Sequence, residues 1–259
     1  PLALLTLYEY TFIGSVQHGS AGLTRQESET VRPVFKYQEN NYRYSTLTNG
    51  LDALDHCLIF LLDNEDDYET WRDGDGAEYH KAVLIRTATT LRKFHNQPAD
   101  RYAYEALRPI LADVQSFVAE SLLGEPQMKA LLNLDFAEAS EAEKRLVKLL
   151  SHSLAGFAVA QGMHRNLVQL KGGRIVQTEA LEPQSSERTV NATVSEVNIA
   201  AMQNQEFAER HLSRVRDFLK QNGSEFQLYQ EWIQANQPDP ETLYPATPDR
   251  RVGGKVVGL

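Results

Sequence analysis

The chain has 259 residues, 42% of them hydrophobic, with 35 acidic side chains against 26 basic ones and a formal net charge of -9 at neutral pH. That length and apolar fraction suit a folded core and exclude a disordered chain. The acidic balance argues against a general nucleic-acid binder, which needs a basic face to displace phosphate counterions; it permits a ring lumen through which DNA merely passes. A single cysteine, Cys57, allows no internal disulfide and fits a reducing compartment. The apolar run Leu2–Leu7 is too short for a membrane span and has no positive region before it, so it is not read as a signal peptide, and no other stretch is expected to span a bilayer.

Taken in order, residues 2–16 are rich in Leu, Tyr, Phe and Ile with loose alternation, which predicts a short strand or an extended arm. Thr24 with Glu27 forms a capping box for a helix reaching about Tyr44, interrupted at Pro33. Asn49-Gly50 reads as a turn, and 51–62 as a strongly apolar helix. An acidic cluster follows: Asp63, Glu65, Asp66, Asp67, Glu69, Asp73, Asp75 and Glu78. It fails the calcium-loop template. Counting from Asp63, position 6 is Tyr68 rather than Gly and position 12 is Gly74 rather than Glu; counting from Asp73, position 5 is Ala77. It is read as a solvated acidic loop.

Residues 78–94 carry apolar side chains at helical spacing and predict one amphipathic helix, broken by Asn96-Gln97-Pro98. The strongest helical pattern comes next. Leu107, Ile110, Leu111, Val114, Phe117, Val118 and Leu122 fall on one face, Pro109 lies near the start, and Gly124 ends the run. The helix is expected to open near Leu107, with 102–105 as an entry turn. A short helix follows from Glu125-Pro126 to Leu134. Ser140 and Glu143 then form a capping box for a helix running to about Gly162.

The period then changes. Residues 166–171 and 174–178 are β-prone runs joined by Gly172-Gly173, a hairpin signal. A long helix is predicted from about Arg188 to Asn222, stopped by Gly223, with an apolar stripe interrupted at Asn204; its packing is expected within the protein rather than as a free zipper. A last helix covers 224–235. Beyond Gln237 repeated prolines favour an extended arm, whose end Lys255-Val-Val-Gly-Leu259 could add a strand to a neighbour. Thr30-Val-Arg-Pro-Val34 weakly repeats Ala106-Leu-Arg-Pro-Ile110.

No catalytic motif stands out. The seven histidines, at 18, 56, 80, 95, 152, 164 and 211, show no i, i+4 pair within a helix, so a zinc site has no support. Asp55, His56 and Cys57 are consecutive, and successive helical side chains point about 100° apart, so they cannot act on one another. Gly172-Gly173 is a turn and not a phosphate cradle. Tyr42, Tyr44, Tyr102, Tyr104, Trp71 and Trp232 are either partner anchors or edge-of-core aromatics.

From residue 100 to about 236 the chain resembles an uncharacterised family of phage- and prophage-encoded proteins. The resemblance rests on Tyr104, Leu107-Arg-Pro-Ile-Leu111, Val114-Gln115, Leu122-Leu-Gly124, Leu146-Val-Lys-Leu-Leu150 and Val159-Ala-Gln-Gly-Met-His164. It continues in the Gly172-Gly173 hairpin, the long helix, and Tyr229 with Trp232. Such proteins are similar in outline to the head–tail connector, or adaptor, proteins of tailed phages. The resemblance implies a structural subunit of a neck ring, usually of twelve copies, docked beneath the portal, assembled in the host cytoplasm and carried in the virion. It implies no catalysis, no cofactor, no metal, no membrane, and DNA only in passage.

The expected fold is therefore mainly α: a helical bundle with one protruding β-hairpin and extended N- and C-terminal arms. Residues 1–98 form a helical region with an arm and the acidic loop, 99–236 a connector-like core with the hairpin at 166–178, and 237–259 the C-terminal arm. Partner contacts are expected at Leu170, Lys171, Gly172, Gly173, Arg174, Ile175, Trp232, Leu243, Tyr244, Pro245, Val256 and Val257. The competing readings are another tail or head-completion protein, a cytosolic helical protein-binding module, and an enzyme with an acidic metal site at 63–75.

Overall fold

A computed structural model describes residues 1–14, 17–19, 22–24, 36–95, 99–165, 168–171, 174–177 and 194–236. The protein is mainly helical. In chain order the elements are α1 (Leu2–Gly14), β1 (Gln17–Gly19), β2 (Gly22–Thr24), α2 (Lys36–Asp63), α3 (Glu69–Arg72), α4 (Asp75–Lys81), α5 (Ala88–Phe94) and α6 (Arg101–Val114). They continue with α7 (Ser121–Leu123), α8 (Glu125–Leu132), α9 (Glu141–His164), β3 (Val168–Lys171), β4 (Arg174–Gln177), α10 (Val194–Asn222) and α11 (Gln227–Asn236). No described helix is long and apolar enough to cross a membrane.

The core is built on α6 and α9. Tyr104, Leu107, Ile110 and Leu111 of α6 meet Leu146, Leu150, Leu154 and Ala158 of α9, all essentially solvent-free. The other long helix, α10, packs along α9 through Ala201, Val215 and Leu219. The capping box at the start of α9 forms in full: Ser140 accepts from the Glu143 amide, and the Glu143 carboxylate takes the Ser140 amide. Gly156 lets α10 approach α9 closely; a Cβ there would stand 2.9 Å from Ala208 and 3.0 Å from the Asn204 carbonyl. Asn204, the break in the apolar stripe, is satisfied internally. Its amide group donates to the Ala200 carbonyl at 2.9 Å and its oxygen accepts from His95 Nε2 at 2.7 Å.

Several local expectations are corrected. Residues 2–14 form a helix, not an extended arm or strand. An apolar run without clear period does not distinguish the two; packing on α2 decides, through Leu5 and Tyr8 against Leu47 and Leu51. The same contact removes the turn expected at Asn49-Gly50. Gly50 lies inside the unbroken α2, and a Cβ there would come within 2.8 Å of Leu5. That glycine serves a close approach of two helices. Thr24, expected as a helix cap, ends β2, while Glu27, Pro33, Thr30-Val-Arg-Pro-Val34, residues 188–193 and 237–259 lie outside the described residues.

The single helix expected over 78–94 is two, α4 and α5, with an irregular segment between them. Three long-range partners hold that segment open. Gln115 accepts from the Leu84 amide at 2.9 Å and donates to the Ala82 carbonyl at 3.0 Å. The Tyr104 hydroxyl donates to the Ile85 carbonyl at 2.9 Å, and Arg86 donates to the Leu132 carbonyl. α5 then starts at its N-cap Thr87, whose side chain accepts from the Thr90 amide.

α6 opens at Arg101, six residues before the expected start. Its N-cap is Asp100, which accepts from the Ala103 amide at 2.7 Å, so Pro109 lies inside the helix. After Val114 the backbone widens into a π-helical stretch, Gln115–Glu120. The extra residue per turn rotates the face. Phe117, expected inward, is 84% exposed, while Ala119 and Leu123 are buried. The Ser121 hydroxyl caps the loosened turn by donating to the Phe117 carbonyl at 2.6 Å.

β3 and β4 pair antiparallel, Leu170 opposite Ile175 and Lys171 opposite Arg174. The pair does not stand off from the body as a protrusion. It lies against α6 and α9, with Val168 fully buried beside Gly162. Gly124 does close its helix with φ of 81°, and it has a second role. A Cβ there would fall 2.4 Å from Trp232 Cγ, so this glycine seats the indole of α11. Gly124→Ala is expected to cost about 1–3 kcal/mol from the positive φ alone and to displace the indole. Urea unfolding followed by tryptophan fluorescence reads both.

Candidate functional site

Asp55, buried on α2, joins three helices through its carboxylate. One carboxylate oxygen accepts from the Ala88 amide at 3.1 Å and from Arg101 Nη1 at 3.0 Å; the other accepts from the Thr89 amide at 2.8 Å. It thus caps α5 from another helix while pairing with the first residue of α6. Burial pushes the Asp55 carboxyl upward, but the bonds from Thr89, Arg101 and Ala88 outweigh it and hold the group below the ordinary carboxylate range. Arg101 also reaches Glu105. This network accounts for the Asp55-His56-Cys57 trio: Asp55 points inward, His56 is exposed and Cys57 is half-buried.

The acidic segment expected as a loop instead carries a short helical turn at Glu65–Asp67, α3 and the start of α4, and its carboxylates divide in two. Asp66 and Asp73 share Arg72, at 3.9 and 2.9 Å, and Glu65 pairs with Lys81, while Asp63, Asp67, Glu69, Asp75 and Glu78 point to solvent. Among the described residues no group of three or more His, Cys, Asp or Glu side chains is placed to hold a metal ion. Beside the loop, Arg72, Lys81 and Lys129 line an open cleft of about 420 Å³. Each already has a carboxylate partner, so the cleft offers no free cation from these three.

Of the expected contact residues, Leu170, Lys171, Arg174 and Ile175 share the β3–β4 ladder through their backbones. Gly172, Gly173, Leu243, Tyr244, Pro245, Val256 and Val257 lie outside the described residues. Trp232 is half-buried against Gly124, so its ring is used to seat α11 on the body. Of the other aromatics considered, Tyr104 is fully buried, Trp71 packs near His80, and Tyr42 is half-exposed.

A model described as a family of unknown function, DUF6712, matches residues 1–81 and 119–240. The chain belongs to that family. No curated protein and no solved structure matches it. The two matched stretches take in α1 to α4 and, from the π-helical stretch onward, α7 to α11; the buried α6 lies between them.

What the spacing of histidines did not reveal is a cluster where α5, α9 and α10 meet. The His152 and His211 rings stack at 4.6 Å, and Phe207 packs against both, at 6.2 and 4.5 Å. His152 Nδ1 donates to the Phe94 carbonyl at 2.8 Å, which fixes its tautomer when neutral. His211 Nδ1 is buried with no hydrogen-bond partner among the described residues. The two histidines are 59 positions apart on different helices, so no local pattern could pair them.

Burial lowers the pKa of His211 to about 4, with His152, Arg214 and Arg210 acting in the same direction. The unfolded chain takes up this proton below its ordinary value near 6.5, and the folded chain does not until about pH 4. Stability tied to this group is therefore present above about pH 6.5 and lost as pH falls toward 4. His211→Phe is expected to flatten that part of the stability profile, measured by urea unfolding across the same range.

Removing the Asp55 carboxylate with Asp55→Ala strands the Ala88 and Thr89 amides and leaves Arg101 with Glu105 alone. Breaking a buried pair on one side costs about 3–5 kcal/mol, so a lower urea midpoint is expected, with α5 losing amide-exchange protection first.

Proposed function

We propose that this chain is a structural subunit of the neck of a tailed-phage virion: a head–tail connector that assembles as a homo-oligomeric ring beneath the portal and performs no catalysis. The proposal begins from the resemblance carried by Tyr104, the 107–111 run, Leu122-Leu-Gly124, the 146–150 run and Tyr229 with Trp232. The observation that carries it furthest is how the polar and apolar side chains are used. Asp55, Arg101, Gln115 and Asn204 are committed to holding helices together. Large apolar side chains face outward instead: Phe117 at 84%, Leu2 at 80% and Met202 at 59% exposure. A rigid body that spends its polar groups internally and shows apolar ones outside is suited to contacts with other proteins. The partners on this reading are further copies of the chain, the portal and the adjoining neck and tail proteins, with DNA only passing through the lumen.

The test is the native mass of the purified protein, alone and with the portal from the same source. A closed ring of about twelve copies, the usual number for such rings by the stated resemblance, or assembly triggered by the portal, is expected. A monomer that ignores the portal would rule the reading out. Deleting residues 237–259 is expected to leave a folded chain that no longer assembles; complete rings from the truncated chain would remove the tail as the fastener.

A further inference from the structure

Arg72, Lys81, Arg92, Arg101, Lys129, Lys144, Arg165 and Lys220 are in ion pairs, and Arg86 and Arg108 donate to backbone carbonyls. The seam between α9 and α10 departs from this. Arg145 and Lys148 on α9 and Arg210 and Arg214 on α10 are exposed, and none meets a carboxylate among the described residues. The acids within a turn of them are engaged elsewhere or stand apart. Glu141 pairs with Lys144, Glu143 closes the capping box, Glu209 bonds Gln205 and Asp217 pairs with Lys220. Glu206 makes no pair with Arg210.

The spacing makes this one surface. Arg145, Lys148 and His152 stand at i, i+3 and i+7 on α9, and His211, Arg214 and Phe218 do so on α10. The two rows are locked side by side: the Arg145 guanidinium lies 5.3 Å from the Phe218 ring centre, and His152 stacks on His211. A strip of cations without a carboxylate partner among the described residues thus runs along a chain whose net charge is -9.

The complementary surface is on the same molecule. The acidic segment 63–78, which takes in α3 and the start of α4, presents Asp63, Asp67, Glu69, Asp75 and Glu78 to solvent without an ion pair among the described residues. Next to them Phe60 and Tyr68, 50% and 42% exposed, form an edge-to-face pair at 5.7 Å. No described ion pair joins this loop to the seam within the chain.

We propose that the basic α9–α10 seam of one copy docks the acidic 63–78 loop of a second copy. This rests on the assembly reading above and names the contact that would build it. Two different patches meet head to tail, so the contact propagates and closes only if its rotation divides the circle. Like net charge between copies is screened beyond about 8–10 Å at physiological salt, so the local match decides. A nucleic acid is the less favoured occupant, because the rest of the surface repels it and nothing comparable offsets that.

The experiment is charge exchange in the full-length chain, read by sedimentation velocity in low and high salt. Lys148→Glu with Arg214→Glu reverses the seam; Asp67→Lys with Glu69→Lys reverses the loop. Each double variant alone is expected to weaken self-association by about tenfold or more, the scale of lost close charge pairs, and mixing the two is expected to restore it. Restoration also shows both variants fold, as do unchanged thermal melts. If both variants assemble like the unmodified chain, the seam contact is overturned while the assembly reading stands. If the unmodified chain stays monomeric with and without portal, the assembly reading fails and the seam contact with it. If seam reversal abolishes binding to a short DNA duplex and leaves assembly intact, the occupant is nucleic acid and the self-contact is wrong.

Discussion

The Asp55 carboxylate is where three helices are made to agree. It lies on α2, caps α5 through the Ala88 and Thr89 amides, and pairs with Arg101 at the start of α6. Each of those groups is costly to bury alone, and together they satisfy one another. The arrangement fixes where α5 begins and how the first turn of α6 is oriented. Because α6 carries Tyr104, Leu107, Ile110 and Leu111 into the core, the placement of the central helix depends on a bond made from outside it.

Gln115 extends the same logic. Its side-chain amide pairs with the backbone at Ala82 and Leu84, as a neighbouring strand would, and keeps 82–87 from continuing the α4 helix. Gln115 is also the first residue of the π-helical stretch. The widened turn puts Gln115 inward and Phe117 outward, so one local irregularity both closes the core and exposes an aromatic side chain.

Charge is sorted along the chain in a comparable way. Carboxylates concentrate in the segment from the end of α2 to the start of α4, and four exposed cations with no carboxylate partner among the described residues line the α9–α10 seam, beside His211, whose pKa burial lowers. Buried polar side chains such as Asn204 and His95 meanwhile hold α10 to the body with bonds that need one register.

Much of the helical content was legible from local pattern alone. The capping box at Ser140 and Glu143, the 3.6-residue period of α9 and α10, and the stop at Gly124 each depend on neighbours a few residues away. What tertiary structure decided is where distant groups compete with that local signal. Packing on α2 made 2–14 a helix, and Leu5 turned Gly50 from a turn residue into a point of close approach. Gln115, Tyr104 and Arg86 split the helix expected over 78–94. The candidate surfaces followed the same rule. The acidic loop is a run of adjacent residues and could be read directly, whereas His152 with His211 and Arg145 with Phe218 come together only when α9 and α10 pack. Sequence spacing records neighbours along a helix, and a seam between two helices is set by the core that joins them.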